Sequence, residues 1–293
     1  MSVAEAEPHI EGGNGLREVK GPTALGDDPS RLWRLTWTLA TTDFKLKFFG
    51  SVLGYLWQLM HPLMLFGVLY LVFSFALNLD TGVEYFPVAL LLGIVLFSFF
   101  SEATNQAVRS LMARENLVRK IDFPRLAVPL SAVLTSVFNL GLNLVPVLVF
   151  LLASGATPTA GWLGFVLIMA VLIAFAFGLA MLLSVAFVRF RDIEPIWAVT
   201  LQILFYSSGV FFTFDTIAQQ QHGQLYLDLI MCNPFAMILA QARHWFIDTS
   251  WESPAQAMSS PWLLLIPYGL IALSLIAGFL IFRAQAPKVA EDL

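Results

Sequence analysis

Six stretches of this chain are long and apolar enough to cross a lipid bilayer, and no other feature constrains its fold as much. A span needs roughly 20 apolar residues to cover about 30 Å of hydrocarbon. The stretches run from about Leu56 to Leu77, Pro87 to Val108, Val128 to Ala153, Trp162 to Val188, Ile196 to Phe214 and Trp262 to Phe282. In the first, the Leu, Val and Phe residues between Leu63 and Leu77 together favour insertion by about 3–6 kcal/mol. Only 12% of the 293 residues are charged, against about a quarter in a soluble domain. Trp57, Trp162, Trp197 and Trp262 fall near span ends, where an amphipathic ring prefers the headgroup layer. The sequence therefore predicts an all-α integral membrane protein with six transmembrane helices.

Basic residues set the orientation. With the amino terminus inside, every Lys and Arg except Arg243 lies on the inner side: Arg17 to Lys47, Arg109 to Arg125, Arg189, Arg191, Arg283 and Lys288. Loops rich in Lys and Arg stay cytoplasmic, so both termini are expected there. A seventh apolar stretch, Leu225 to Ile247, is interrupted by Asp228, Asn233, Pro234, Arg243 and His244. An Asp or Arg at mid-membrane costs at least ~2.5 kcal/mol, and Pro234 breaks a helix. The favoured reading is two short helices, about Thr216–Met231 and Pro234–Asp248, against the outer leaflet; an ordinary extracytoplasmic loop is the alternative. A loop this long and apolar must bury itself somewhere.

Two segments lie before the first span. Residues 1–30 are polar and acidic and read as a disordered cytoplasmic tail. Residues 31–50 are too charged to span. On a helix, Trp33, Trp37, Ala40, Phe44 and Phe48 share one face and Arg34, Thr38, Thr41 and Lys45 the other. That is the pattern of an amphipathic helix lying in the interface, with Trp33, Trp37 and Phe44 as its anchors.

The chemistry-bearing motifs are few. No GxxxxGK[ST] loop is present to cradle a nucleotide, and no GxSxG or histidine–carboxylate constellation suggests hydrolysis. The single cysteine, Cys232, and the scattered His9, His61, His222 and His244 form no metal motif. Glu102 is the one acidic or basic residue deep in a span, which weakens an ion-driven carrier. Asp192 and Glu194 read as solvated loop charges beside Arg189 and Arg191. A membrane body of this kind must draw its energy from a partner reaching its inner loops.

Specific residues then resemble a family. Phe44 to Trp57 (FKLKFFGSVLGYLW), followed by His61 and Pro62, is similar to the approach to the first span in type-2 ABC exporter permeases for polysaccharides and polyol phosphates, such as O-antigen, teichoic acid or galactan. Glu115 to Arg125 (ENLVRKIDFPR) with Pro129 resembles that family's cytoplasmic stretch between spans two and three. Phe190 to Ile193, and Asn233-Pro234 with Arg243, resemble two further segments. His61 stands where the family usually has Asn, and Asp122 where an aromatic residue is common.

The resemblance implies a subunit of an ATP-driven exporter moving a lipid-linked cell-surface polysaccharide across the bacterial cytoplasmic membrane. It is not itself an enzyme and binds no cofactor. Two copies would form the channel. Two separate ATP-binding cassette subunits would carry ATP and Mg, and nucleic acid plays no part. It divides the chain into a tail at 1–30, the interfacial helix at 31–50, a permease domain at 51–283 and a second tail at 284–293. Within the permease domain a coupling loop at 109–127 and an outer gate at 215–261 are expected. Arg109, Arg114, Glu115, Asn116, Arg119, Lys120, Phe123, Pro124 and Arg125 would meet the ATPase. Leu117, Val118, Ile121 and Phe123 would fill a groove on it. Tyr55, Tyr70, Phe99, Phe100 and Tyr206 are candidates to line a glycan path, because a sugar ring stacks on an aromatic face. Asn233, Pro234 and Arg243 would belong to the outer gate. The rival readings are an exporter of the same build for a small lipid or drug, a membrane enzyme of glycan assembly, and a passive scaffold.

Overall fold

The computed structural model describes residues 29–49, 54–72, 85–119, 123–212, 214–218 and 221–292. The expected tail up to residue 28 and the segment 120–122, which includes Lys120, lie outside them. The described residues form twelve α-helices and one short 3-10 turn, with no strand among them.

The chain opens with α1 (Pro29–Phe48), the predicted interfacial helix, and continues with α2 (Leu56–Leu71). The long helices are α3 (Phe86–Ala113), α5 (Ala127–Ala153), α6 (Gly161–Arg189) and α12 (Leu265–Asp292), the last entered through a 3-10 turn at Pro261–Leu264. Between them lie α4 (Glu115–Val118), α7 (Ile193–Ser207), α8 (Phe214–Ala218), α9 (Gly223–Met231), α10 (Pro234–Phe246) and α11 (Pro254–Ala257). Four helices are long and apolar enough to cross a membrane, and the bent α9–α10 pair would make a fifth. This is fewer than the six predicted. The described part of α2 has 16 residues and α7 has 15, or about 23–24 Å each at 1.5 Å per residue, short of a full crossing. At its far end α12 runs on as helix where a tail was expected.

α3 is the centre of the body and the most buried of the four long helices. It packs on α5 and α6, with α2, α7 and α10 also against it. α6 lies against α12 at close range, and two glycines allow it. A Cβ on Gly278 would come 2.5 Å from the carbonyl oxygen of Gly178, and one on Gly178 would come 2.7 Å from the Ser274 hydroxyl. Small residues at such crossings let backbones approach where lipid offers no hydrophobic drive between helices.

Two smaller clusters close the ends. At one, Leu111, Val118, Phe123, Leu126, Met181, Val185 and Phe282 gather the end of α3, the start of α5 and the late parts of α6 and α12. At the other, Phe214, Leu227, Met231 and Met258 gather α8, α9 and the segment after α11. The segments predicted to lie inside thus share one end, and those predicted outside share the other.

The outer region is more divided than predicted. The expected helix Thr216–Met231 is split into α8 and α9, and α10 ends at Phe246 rather than Asp248. α9 and α10 meet at 98°. The break is local chemistry: Asn233 Oδ1 accepts a hydrogen bond from the Phe235 amide at 3.0 Å, capping α10. Pro234 occupies its first turn, where a missing N–H costs nothing. Asp228 ties α9 across to Ser259, accepting from its amide at 2.8 Å and its hydroxyl at 2.6 Å.

Candidate functional site

At the end that holds the basic residues, the segment after α3 is folded back onto the body. Arg114 pairs with Asp43 of α1 and donates to the Ser131 hydroxyl at 3.3 Å. Arg119 pairs with Glu115 at 2.7 Å, one helical turn away. Arg109 Nε donates to Glu194 Oε2 at 2.7 Å, joining the end of α3 to the start of α7. Glu194 is thus the partner of Arg109 rather than a loop charge beside Arg189 and Arg191.

Arg125 differs from the reading of it as a contact for a partner protein. It is buried, and it donates to the carbonyls of Val118 and Ala286. Burial pulls its pKa below the ordinary guanidinium value. It ties the segment after α3 to α12 and offers nothing to an outside surface. Val118 and Phe123 are likewise buried in this chain's own end cluster rather than free to fill a groove elsewhere. Pro124 is buried beside them. The exposed part of the segment is therefore narrower than predicted: Asn116 and Arg119 stand out from α4, Glu115 is half-buried beside them, and Arg109 stands one turn above.

α1 presents two faces. Leu32, Leu35, Thr36, Leu39 and Ala40 turn inward, and α1 packs on α5. Trp33 and Trp37 stay 55% and 48% exposed, in contact with each other at 6.2 Å between rings. Trp37 and Phe44 each meet Phe138 edge-on, at 5.5 and 5.6 Å. The tryptophans are thus left on the surface next to the packed face.

The aromatic candidates for a glycan path separate into two groups. Phe99 and Phe100 are fully packed in the core. Phe100 stacks on Phe175 at 5.2 Å and touches Phe235 at 5.5 Å. Both hold α3 to its neighbours and line no open surface of the chain. Tyr55, Tyr70 and Tyr206 remain exposed. Tyr55 lies on Phe44 and Phe48, Tyr70 on Phe66, and Tyr206 beside Phe205 and Phe211. Of the outer-gate candidates, Asn233 and Pro234 form the cap described above. Arg243 is buried, and its guanidinium donates to the carbonyls of Gly209 at 2.8 Å, Val210 at 3.0 Å and Ala89 at 3.3 Å.

The polar centre that sequence reading noticed only as Glu102 proves to be a network. Glu102 Oε1 accepts from Lys47 Nζ at 2.5 Å, Asn139 Nδ2 at 2.6 Å and Gln106 Nε2 at 2.9 Å. Lys47 also donates to Gln58 Oε1 at 2.9 Å. Beside this network lies an open cleft of about 470 Å³, whose polar lining is Gln58, His61, Ser98, Ser101, Glu102 and Asn143 with Lys47. The sequence carried a signal for it. Ser98, Ser101 and Glu102 sit three and four residues apart, as do Asn139 and Asn143 four apart, so each set falls on one helix face in stretches otherwise apolar.

Comparison with known proteins agrees with these observations. The model of the ABC-2 type transporter family matches residues 34–247, from α1 to just past α10. The chain is 28% identical to the O-antigen export system permease protein RfbA of Klebsiella pneumoniae, over 74% of this chain and 82% of that one. A protein of the same name from Myxococcus xanthus is 26% identical over 72% of this chain and 79% of its own length. The polysialic acid transport protein KpsM of Escherichia coli is 23% identical over 69% and 76%.

Proposed function

The chain belongs to the ABC-2 type transporter family, and from that premise we propose that it is the membrane-spanning permease of an ATP-driven exporter for a cell-surface polysaccharide. It is a multi-pass membrane protein of a transport family. The relatives named for O-antigen export and polysialic acid transport support the polysaccharide. In this reading the body has six spans, with α2 and α7 as the first and fifth, and both termini face the cytoplasm of a bacterial inner membrane. Two copies enclose the path, and two ATP-binding subunits dock on the inner end.

The observation that carries the mechanism is the way the inner segment is fastened. α4 is joined to α12 through Arg125, to α1 through the Arg114–Asp43 pair and, one turn above it, to α7 through Arg109 and Glu194. A displacement of α4 by a nucleotide-binding partner is therefore delivered to α12, α1 and α7 at once. Packed elements respond to such a push as rigid bodies. The exposed Asn116 and Arg119, with half-buried Glu115 and with Lys120 next in sequence, form the contact.

Two experiments test the reading. Deleting the gene should abolish surface polysaccharide and leave polymer inside the cell, and supplying the chain with its ATP-binding subunit should restore it. Arg119→Glu with Lys120→Glu should insert normally yet lose most of the ATP hydrolysis stimulated by the assembled complex, and the surface polymer with it. Full hydrolysis and normal surface polysaccharide in that variant would contradict the coupling assignment.

A further inference from the structure

We propose that the cleft between α2, α3 and α5 is a binding site for a neutral, hydroxyl-rich ring, one sugar residue of the exported glycan. The proposal rests on the exporter reading and adds the ligand's chemistry and its seat. The cleft's volume of about 470 Å³ lies within the roughly 300–1,000 Å³ of small-molecule sites.

Its lining has the composition such a ligand needs. Polar groups are costly at membrane depth and are kept there for a use. The Glu102 network uses up only one carboxylate oxygen: Oε1 takes three donors, whereas Oε2 holds a single long contact with Gln58 at 3.5 Å. Asn143 is 2% exposed, lines the cleft, and its carbonyl oxygen has no hydrogen-bond partner among the described residues. A buried acceptor left in that state is unfavourable, and a donor in the cleft would satisfy it once the amide turns toward it. Ser98 and Ser101 add hydroxyls that both donate and accept. Phe97 and Phe205, 4.6 Å apart, add an apolar surface to the lining. The C–H face of a sugar ring, weakly positive at its hydrogens, suits the negative face of an aromatic.

Charge selects the ligand further. Among the described residues, Lys47 is the one lysine or arginine lining the cleft, and it is already paired with Glu102 at 2.5 Å. An anion entering would have to break that pair, and a cation would find the carboxylate taken. A neutral polyol meets neither obstacle.

Thiol protection tests the site directly. The full chain with Cys232→Ser and Ser98→Cys, placed in lipid nanodiscs, is reacted with N-ethylmaleimide alone and with maltotriose, mannotriose or 3′-sialyllactose. At least one neutral trisaccharide should slow the reaction about threefold or more, as occupancy at twice the dissociation constant requires. The anionic sugar should leave it unchanged, and Asn143→Leu should remove the protection. A chain with Ser154→Cys, on an exposed turn after α5, should react at one rate throughout. Ser101→Cys serves as a second reporter should the first thiol perturb folding. A rate unmoved by both neutral sugars at both positions, equal protection by sialyllactose, or protection at position 154 overturns the proposal. Restoring surface polysaccharide with the same chain separates the two readings: an unprotected thiol in an exporting chain removes the sugar site and leaves the exporter standing.

Discussion

Arg243 has no carboxylate partner among the described residues; main-chain carbonyls hold it. Gly209 and Val210 lie just past α7, where a helix leaves its last carbonyls unpaired and carries the negative end of its dipole. The third acceptor, Ala89, belongs to the first turn of α3. The guanidinium also sits 5.3 Å from the Trp251 ring. One buried side chain therefore joins the start of α3 and the end of α7 to α10. Arg243→Met keeps much of the volume and strands the carbonyls, at about 1–3 kcal/mol each. Arg243→Lys keeps the charge without the fork and should recover only part of the loss. A thermal melt of the purified protein should rank parent above Lys above Met, and an unchanged midpoint in the Met variant would contradict this account. The sequence marked Arg243 as the lone outward basic residue. It could not reveal why the residue is tolerated there, because the answer lies in carbonyls 33 to 154 positions away.

Among the elements, α1 and the segment around α4 carry the most consequence. Trp33→Ala with Trp37→Ala removes the exposed ring pair of α1 and the Trp37–Phe138 contact, while leaving the inward Leu32, Leu35, Thr36, Leu39 and Ala40 in place. Protease cutting near α1 should become faster without loss of the folded body, and cutting identical to the parent would refute the anchor. The pair between Arg109 and Glu194 is exposed, and such pairs add little to stability. Its test is therefore coupling rather than stability. Arg109→Glu or Glu194→Arg alone should lower partner-stimulated ATP hydrolysis severalfold, and the two together should restore it. Failure of the double exchange to restore it would remove the pair from the transmission path. Reading the sequence found the helix break at Pro234 and a helix over residues 31–48, because both are local patterns. It turned Val118, Phe123 and Arg125 the wrong way for a physical reason: an apolar or basic residue in a loop looks the same whether its partner is another protein or its own chain.

At the scale of the whole molecule, positive residues and apolar runs foretold which segments share an end, and the clusters at each end of the body agree. Span number was less legible. α2 and α7 are short within the described residues, and apolar length alone does not separate a full crossing from a helix that stops partway. The cleft was visible chiefly as Glu102, since Lys47, Gln58, Asn139 and Asn143 come to it from three other helices, α1, α2 and α5, that sequence order keeps apart. The central claim is that this body moves polysaccharide only when an ATP-binding partner drives it through the fastened inner segment. The most direct measurement is uptake of lipid-linked polysaccharide into proteoliposomes holding this chain with and without that partner. The account predicts ATP-dependent accumulation with both present, and none with this chain alone or with Arg119→Glu and Lys120→Glu. Transport by the unaccompanied chain, or full ATP-driven transport by that variant, would contradict it.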